Sequence, residues 1–343
     1  MAHPPIAVVG DWVCTDLLDL TGDLAALDSG GFWAVVVPTD GPPVCARFAT
    51  VRPARPWTGA RWIGPPLEAW RSSLDRTAYG VAVDRIRAAI GAGDVYQVNL
   101  TRVLSAPLGD PSDPHHDIAA LGAALAEGNP APYSAVVRLP SVGVAVASAS
   151  PERFLTRRGR DVRSSPIKGT SETASGFGDK DRAENVMIVD LVRNDLGRVC
   201  EPGSVTVPAL CALEHHPTFV HLVSTVRGAL RPDVGWADLL AATFPPGSVT
   251  GAPKIAALDV IRALEPVPRG PYCGAVGWVD ADAGIGSLAV GIRTFWIAEE
   301  RLHFGTGAGI TWGSDPAAEW AETELKAARL LALAEGETRR GRR

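Results

Sequence analysis

Lysine is nearly missing from this 343-residue chain: of 33 cationic side chains, only Lys168, Lys180, Lys254 and Lys326 are not arginine. Glycine, proline, alanine and arginine are all abundant, as a GC-rich codon bias would give, so the scarcity alone is compositional. It still singles out each lysine that survives. Arginine keeps its proton in a protein, whereas a lysine amine can become a neutral nucleophile. Cysteine is sparse too. Cys14, Cys45, Cys200, Cys211 and Cys273 are odd in number, scattered, and include no Cys-x-x-Cys pair, which excludes a disulfide framework or a zinc site of ordinary spacing. No apolar run reaches membrane-spanning length, and the N-terminus lacks the basic-then-apolar order of a leader, so a cytoplasmic protein without a membrane partner is expected. A basic excess is also absent. The net charge of −5 argues against a nucleic-acid partner, and the one basic run, "RRGRR" at 339–343, reads as a solvated tail.

With 46% hydrophobic and 21% charged residues, the chain reads as a folded protein with a large core. Residues 1–74 form a short N-terminal region of strands and turns ("FWAVVVP", "VCARFATVR") expected to pack on the main unit. From Asp75 the pattern turns helical, with Tyr79, Val83, Ile86 and Ile90 on one face and Gly91 and Gly93 as stop signals. Residues 75–336 read as one folded unit and 337–343 as the tail. Helices fit 116–127, 180–194, 235–243, 254–264 and 316–335. Strands fit 133–139, 142–148, 152–157, 204–208, 218–228, 272–279, 286–297 and 301–304. Antiparallel-looking runs with interspersed helices give an α+β class.

Several segments hold chemistry. "DVYQVNLTRVL" alternates, with Gln97, Asn99 and Thr101 on one face of a strand; that face either meets solvent or lines a polar pocket. Asp181 and Glu184 lie one turn apart on one helix, and Glu319 and Glu322 on another that follows Asp315, a plausible N-cap. Two such pairs suit a hard cation such as Mg2+, although Glu322 and Lys326 are also an ordinary i,i+4 pair. "FPPGSVTGAPK" is a Gly/Pro loop entering a helix near Pro253, and "GTGAGITWG" at 305–313 reads as a second Gly-rich turn. Glu152 follows a strand in "SPERF", either a general acid or a surface residue. His221 shares a strand face with Phe219 and Val223, the pattern of a satisfied, half-buried histidine. Arg293 sits among strand apolars, where an arginine needs an anionic partner. Lys168 lies in an extended stretch, "SSPIKGTSET".

Together these segments resemble the chorismate-utilising enzymes: the component I chains of anthranilate and aminodeoxychorismate synthases, and the isochorismate and salicylate synthases. The matching stretches are "GDVYQVNLTR", "ASPERFL", "PIKGT", "DRAENVMIVDLVRNDLGRV", "HLVST", "FPPGSVTGAPK", "YCGAVGW", "IRT", "GAGI" and "DPAAEWAET", in family order over about residues 76 to 335. The resemblance implies two stacked antiparallel sheets flanked by helices, in α/β/β/α layers. It implies chorismate as substrate and Mg2+ as cofactor, with Glu184 and Glu322 as principal ligands and Asp181 and Glu319 beside them. Arg293, Tyr272, Gly307 and Gly309 would hold the enolpyruvyl side, with Thr250 and Lys254 nearby. Glu152 would be the general acid, and His221 would sit beside the ring carboxylate. Isochorismate and salicylate synthases have a water-activating lysine where this chain has Gln97, and anthranilate synthases read "PIAGT" where it reads "PIKGT". The resemblance is therefore to aminodeoxychorismate synthase. It implies that Lys168 adds to ring carbon two before ammonia enters at carbon four. No segment resembles a glutaminase, so a separate glutamine amidotransferase subunit is the expected ammonia source.

Overall fold

The computed structural model describes residues 3–336 apart from 111, 172, 174, 175 and 216–219; the expected tail at 337–343 lies outside them. Eighteen strands and six α-helices follow in order among the described residues. The first nine strands are β1 (Ile6–Val9), β2 (Trp12–Thr21), β3 (Phe32–Val37), β4 (Val44–Pro53), β5 (Arg71–Ser72), β6 (Gln97–Pro107), β7 (Tyr133–Leu139), β8 (Val144–Ser150) and β9 (Arg153–Arg158). The rest are β10 (Asp161–Ser165), β11 (Ile167–Ser171), β12 (Thr206–His215), β13 (Val220–Ala229), β14 (Gly251–Ala252), β15 (Ala275–Asp280), β16 (Ile285–Val290), β17 (Thr294–Ala298) and β18 (Arg301–Ile310). The helices are α1 (Arg76–Ala92), α2 (Ile118–Gly128), α3 (Asp179–Gly197), α4 (Trp236–Thr243), α5 (Lys254–Leu264) and α6 (Pro316–Glu335).

Local chemistry sets the helix ends. Asp75 caps α1 by accepting from the Ala78 amide, and Gly93 closes it at φ 85°, a left-handed conformation that glycine adopts without penalty. Asp315 caps α6 through the Ala318 amide, with Pro316 in the first turn where its missing N–H costs nothing.

Every strand pairing is antiparallel, and the pairings form one unbroken ladder. It starts at β12 and runs through β13, then β10 with β11, to β9, β16 and β15. It crosses β3, β4, β2 and β1, then returns through β7, β8, β17 and β18 to β6, against which β5 and β14 lie. The ladder folds back, so that Val137 and Val146 of one arm share a core with Leu155, Val162 and Leu288 of the other. Two stacked layers are present as anticipated, joined along one side by strands of the N-terminal region. Helices α3 and α4 add Ile188 and Leu239 to that core, whereas α2 and α6 pack on the opposite face of β7, β8, β17 and β18. Helices α1 and α5 cover the start of β6 and the end of β18.

Two readings change. The single strand anticipated over 286–297 is interrupted between β16 and β17, where Arg293 adopts φ 51°. The anticipated turn at 305–313 is strand as far as Ile310. Its glycines alternate with Ala308 and Ile310, which are buried in the core, so the glycine face is flat because something presses against it. A Cβ at Gly305 would meet the Tyr272 ring at 2.1 Å.

Candidate active site

The polar face of β6 is buried: Gln97 is 1% exposed and Asn99 7%. Buried amides need partners. Gln97 Nε2 donates to Glu184 Oε1 at 2.7 Å, joining the first strand of one arm to α3 above the other. The same carboxylate oxygen lies 3.9 Å from Lys168 Nζ. Lys168, on β11, donates to the main-chain oxygen of Ser248 at 3.1 Å. Gly309 provides the floor: a Cβ there would sit 2.4 Å from Gln97 Nε2 and 2.7 Å from Glu184 Oε1. Gly309→Ala should therefore displace both side chains, lowering kcat by roughly 100-fold, the cost typical of an ångström-scale misplacement. Thermal unfolding should change little; steady-state kinetics beside a melt would check both parts.

Glu152 stands at the junction of β8 and β9. It is 4% exposed, and its main-chain oxygen accepts from the Val290 amide. Burial pushes its carboxyl up to about 7, against the opposing effects of the Ser248 side chain, the nearby Lys168 amine and the Ile167 amide. A carboxyl half-protonated near neutrality is suited to proton donation. A narrow cavity behind it is lined by Phe154, Leu155, Asp195, Thr243, Ser248 and Val290.

The remaining candidates divide. His221, on β13, lies opposite Thr170 of β11 and is 1% exposed; Phe219, expected on its face, is outside the described residues. Glu322 pairs with Lys326 at 2.6 Å, and Lys326 also donates to the Gly307 carbonyl at 3.0 Å, two residues along β18 from Gly309. Glu319 is buried one turn earlier on α6. Asp181 caps the start of α3, accepting from the Gly178 amide at 2.9 Å. Among the described residues, no three His, Cys, Asp or Glu side chains converge as a metal cage. Thr250 turns its hydroxyl onto the Pro246 carbonyl. Lys254 is engaged by Asp195 at 2.6 Å and the Thr243 carbonyl at 2.8 Å, both buried. Burial lowers the Lys254 ammonium from its ordinary value and raises the Asp195 carboxyl, while each partner opposes the shift. Tyr272 lies buried under Gly305, its phenol held far above the usual range by burial and by neighbouring Cys273. Arg293 is half-buried, its guanidinium lowered by burial and by Arg329.

Sequence reasoning missed the residues that hold the 244–253 loop. Arg269 donates to the Val249 carbonyl at 2.8 Å and the Asn99 carbonyl at 2.7 Å while paired with Glu265 at 2.6 Å. Glu265 accepts from the Thr101 amide. "FPPGSVTGAPK" drew attention for its backbone amides; its acting groups in this fold include the main-chain oxygen of Ser248, which accepts from Lys168.

The chain is 42% identical over 276 residues to aminodeoxychorismate synthase component 1 of Klebsiella aerogenes, covering 77% of this chain and 59% of that protein. It is 40% identical over 290 residues to anthranilate synthase component 1 of Streptomyces coelicolor, covering 81% and 55%. The chain thus spans little more than half the length of these curated relatives. Among solved structures, anthranilate synthase component I of Streptococcus pneumoniae superposes with a TM-score of 0.75 at 24% identity, over 96% of this chain and 91% of that one. The menaquinone-specific isochorismate synthase of Escherichia coli gives 0.78 at 19% identity, over 97% and 89%. Those two likenesses establish the fold. Residues 63–332 match the model of the chorismate binding enzymes. With that match running through the strands and helices that bring Glu152, Lys168, Glu184 and Gly309 together, the chain belongs to the chorismate binding enzyme family.

Proposed function

We propose that the chain aminates chorismate at ring carbon four, as the component I of an aminodeoxychorismate synthase. The observation that carries this reading is the lysine. Lys168 reaches the polar floor of the site beside Glu184, with the buried Glu152 carboxyl close enough to feel its charge. The amine of Lys168 adds to carbon two as the carbon–oxygen bond at carbon four breaks, and Glu152 gives its proton to the departing hydroxyl, which leaves as water. Ammonia then bonds to carbon four, the carbon–nitrogen bond to Lys168 breaks, and Glu152 takes back a proton from the new ammonium. The ammonia is supplied from glutamine by a partner amidotransferase, and a relative named "component 1" supports a second subunit.

Mg2+ is the proposed cofactor. Glu184 and Glu322 present only hard oxygen donors, and each now holds a nitrogen group, Gln97 or Lys326, where a cation would compete. Mg2+ commonly takes one or two carboxylates and completes its shell with water and substrate oxygens, so the absence of a three-carboxylate cage is compatible with it. Glu184 and Glu322 would be the ligands, with Glu319 and Asp181 beside them, and the bound ion would neutralise substrate carboxylate. Glu184→Gln and Glu322→Gln should fold normally and lose at least roughly 100-fold in turnover. Near-normal rates at limiting Mg2+ would remove the assignment.

Chorismate, Mg2+ and an ammonium salt, followed by chromatography of the products, test the function. The expected product is 4-amino-4-deoxychorismate. Fluorescent anthranilate as the sole product would make this an anthranilate synthase, the activity named for its Streptomyces coelicolor relative.

A further inference from the structure

The Ser248 carbonyl that accepts from Lys168 lies in a stretch where each main-chain oxygen from Pro246 to Thr250 receives a donor. Those of Pro246 and Gly247 take the amides of Val249 and Thr250, closing the 3-10 turn Gly247–Val249. Ser248 takes Lys168 Nζ at 3.1 Å. The other two are held from outside the loop: Arg269 Nη1 donates to Val249 at 2.8 Å, and the Asn99 amide donates to Thr250 at 2.7 Å. Nη2 of the same guanidinium donates to the Asn99 carbonyl at 2.7 Å, so one rigid fork joins the loop to β6. Arg269 is 5% exposed, and its Nε and Nη2 also bind the Glu265 carboxylate at 2.7 and 2.6 Å. Its main chain is fixed at the surface. There Asp40, in the turn between β3 and β4, accepts from the Arg269 and Gly270 amides at 2.7 and 3.3 Å.

We propose that Arg269 is a positioning residue for the nucleophile: by fixing the Val249 carbonyl it sets the adjoining peptide, and so aims the Ser248 oxygen that holds the Lys168 amine. This rests on the role given above to Lys168. An amine that adds to carbon must point its lone pair at that carbon, and a lysine on a flexible four-carbon stem has no direction of its own. Direction comes from the Ser248 carbonyl. Glu184 lies 3.9 Å from Nζ, beyond hydrogen-bond range, and supplies charge instead. The Ser248 carbonyl in turn belongs to a planar peptide shared with Val249, so a Val249 free to rotate would swing that oxygen away from Lys168. Arg269 prevents the rotation, and Asp40 keeps Arg269 in place from the surface.

The scarcity of lysine makes the test direct. In the metal-free, ligand-free chain labelled at lysine nitrogen, NMR in the cold should show slowly exchanging signals from Lys168 and Lys254, whose side chains are 11% and 14% exposed. Lys168→Arg assigns the first. Lys254, held by Asp195 and the Thr243 carbonyl, is the internal control. Arg269→Gln is combined with Glu265→Gln, so that no buried carboxylate is left without its partner. In that variant the Lys168 signal should be lost while the Lys254 signal stays. Adduct formation on Lys168, followed by mass in a single turnover with chorismate and Mg2+ but no ammonia, should slow by roughly 100-fold, the cost typical of an ångström-scale misplacement. A merely structural role would weaken both lysine signals together and leave the folded fraction reacting at the wild-type rate; that outcome overturns the proposal. So does an unmoved Lys168 signal, or a wild-type adduct rate, in a folded variant. If the double variant does not fold, Asp40→Ala, which releases the Arg269 amide at the surface, decides by the same two readouts. A Lys168 signal lost in the variant, where wild type itself forms no adduct, supports the contact from Arg269 and defeats the covalent mechanism, so the two failures are distinguishable.

Discussion

Incubated with chorismate and Mg2+ but no ammonia, the chain should gain the mass of chorismate less one water, on the peptide containing Lys168. The expectation follows from the order of the two displacements: the first needs only the lysine and the proton of Glu152, and the second has no nucleophile. The bond is an ordinary carbon–nitrogen single bond, so no borohydride is needed to keep it through digestion. Lys168→Arg should lose the adduct and the 4-amino product together. Guanidinium keeps charge and approximate length but stays protonated and cannot add to carbon. Lys168→Ala should also lose the adduct while opening the path to carbon two, where ammonia would then give the 2-amino isomer. Undiminished 4-amino product in both variants would reduce Lys168 to an electrostatic helper.

Glu152→Gln should lower kcat by about 10²–10⁴-fold, the range for a general acid, and at the same time make the protein more stable at high pH. The second effect comes from burial. The folded state holds the Glu152 carboxyl at about 7, above its ordinary 4.5, so the folded form binds the proton more tightly than the unfolded one. The associated stability is complete below the unfolded value and disappears as pH rises through about 7, a loss of about 3 kcal/mol by pH 8. Glutamine has nothing to ionise. Thermal melts of wild type and variant should therefore coincide near pH 4 and separate by pH 8, with the variant higher. Wild-type activity should fall over that same interval, because only the protonated acid can donate.

The helices were the most legible part of the fold, since their ends carry their own chemistry. Asp75 and Gly93 bracket α1, Pro253 precedes α5, and Asp315 with Pro316 opens α6. Strands whose form is dictated from outside were harder to read. Glycines at 305, 307 and 309 look like a turn until Tyr272, Gln97 and Glu184 are seen pressed against that face. The break at Arg293 is marked locally only by Gly291, which an apolar run can also carry without ending as a strand. Alternation placed Gln97, Asn99 and Thr101 on one face of β6 and left its surroundings open; the packing of α3 and the 244–253 loop decides that the face is interior. Ser248 was invisible for a related reason. A serine in a Gly/Pro loop has a role only when a strand far away in sequence brings a lysine to its main-chain oxygen.

The pairing of β3 with β15 also bears on how the chain is made. Phe32–Val37 is uncharged and buried throughout; its neighbour β4 follows at once, but its other edge waits for Ala275–Asp280. At ribosomal rates of ~5–20 residues per second, the intervening stretch of about 240 residues takes roughly 10–50 s to emerge. During that time a short, apolar strand of high β-propensity has an open side, the kind of segment that recruits copies of itself. Protection for residues near the front of the chain is delivered by residues near its back. Truncations that stop before residue 275 are therefore expected to partition into the insoluble fraction, and a nascent chain paused there should depend on chaperones that cover the exposed edge.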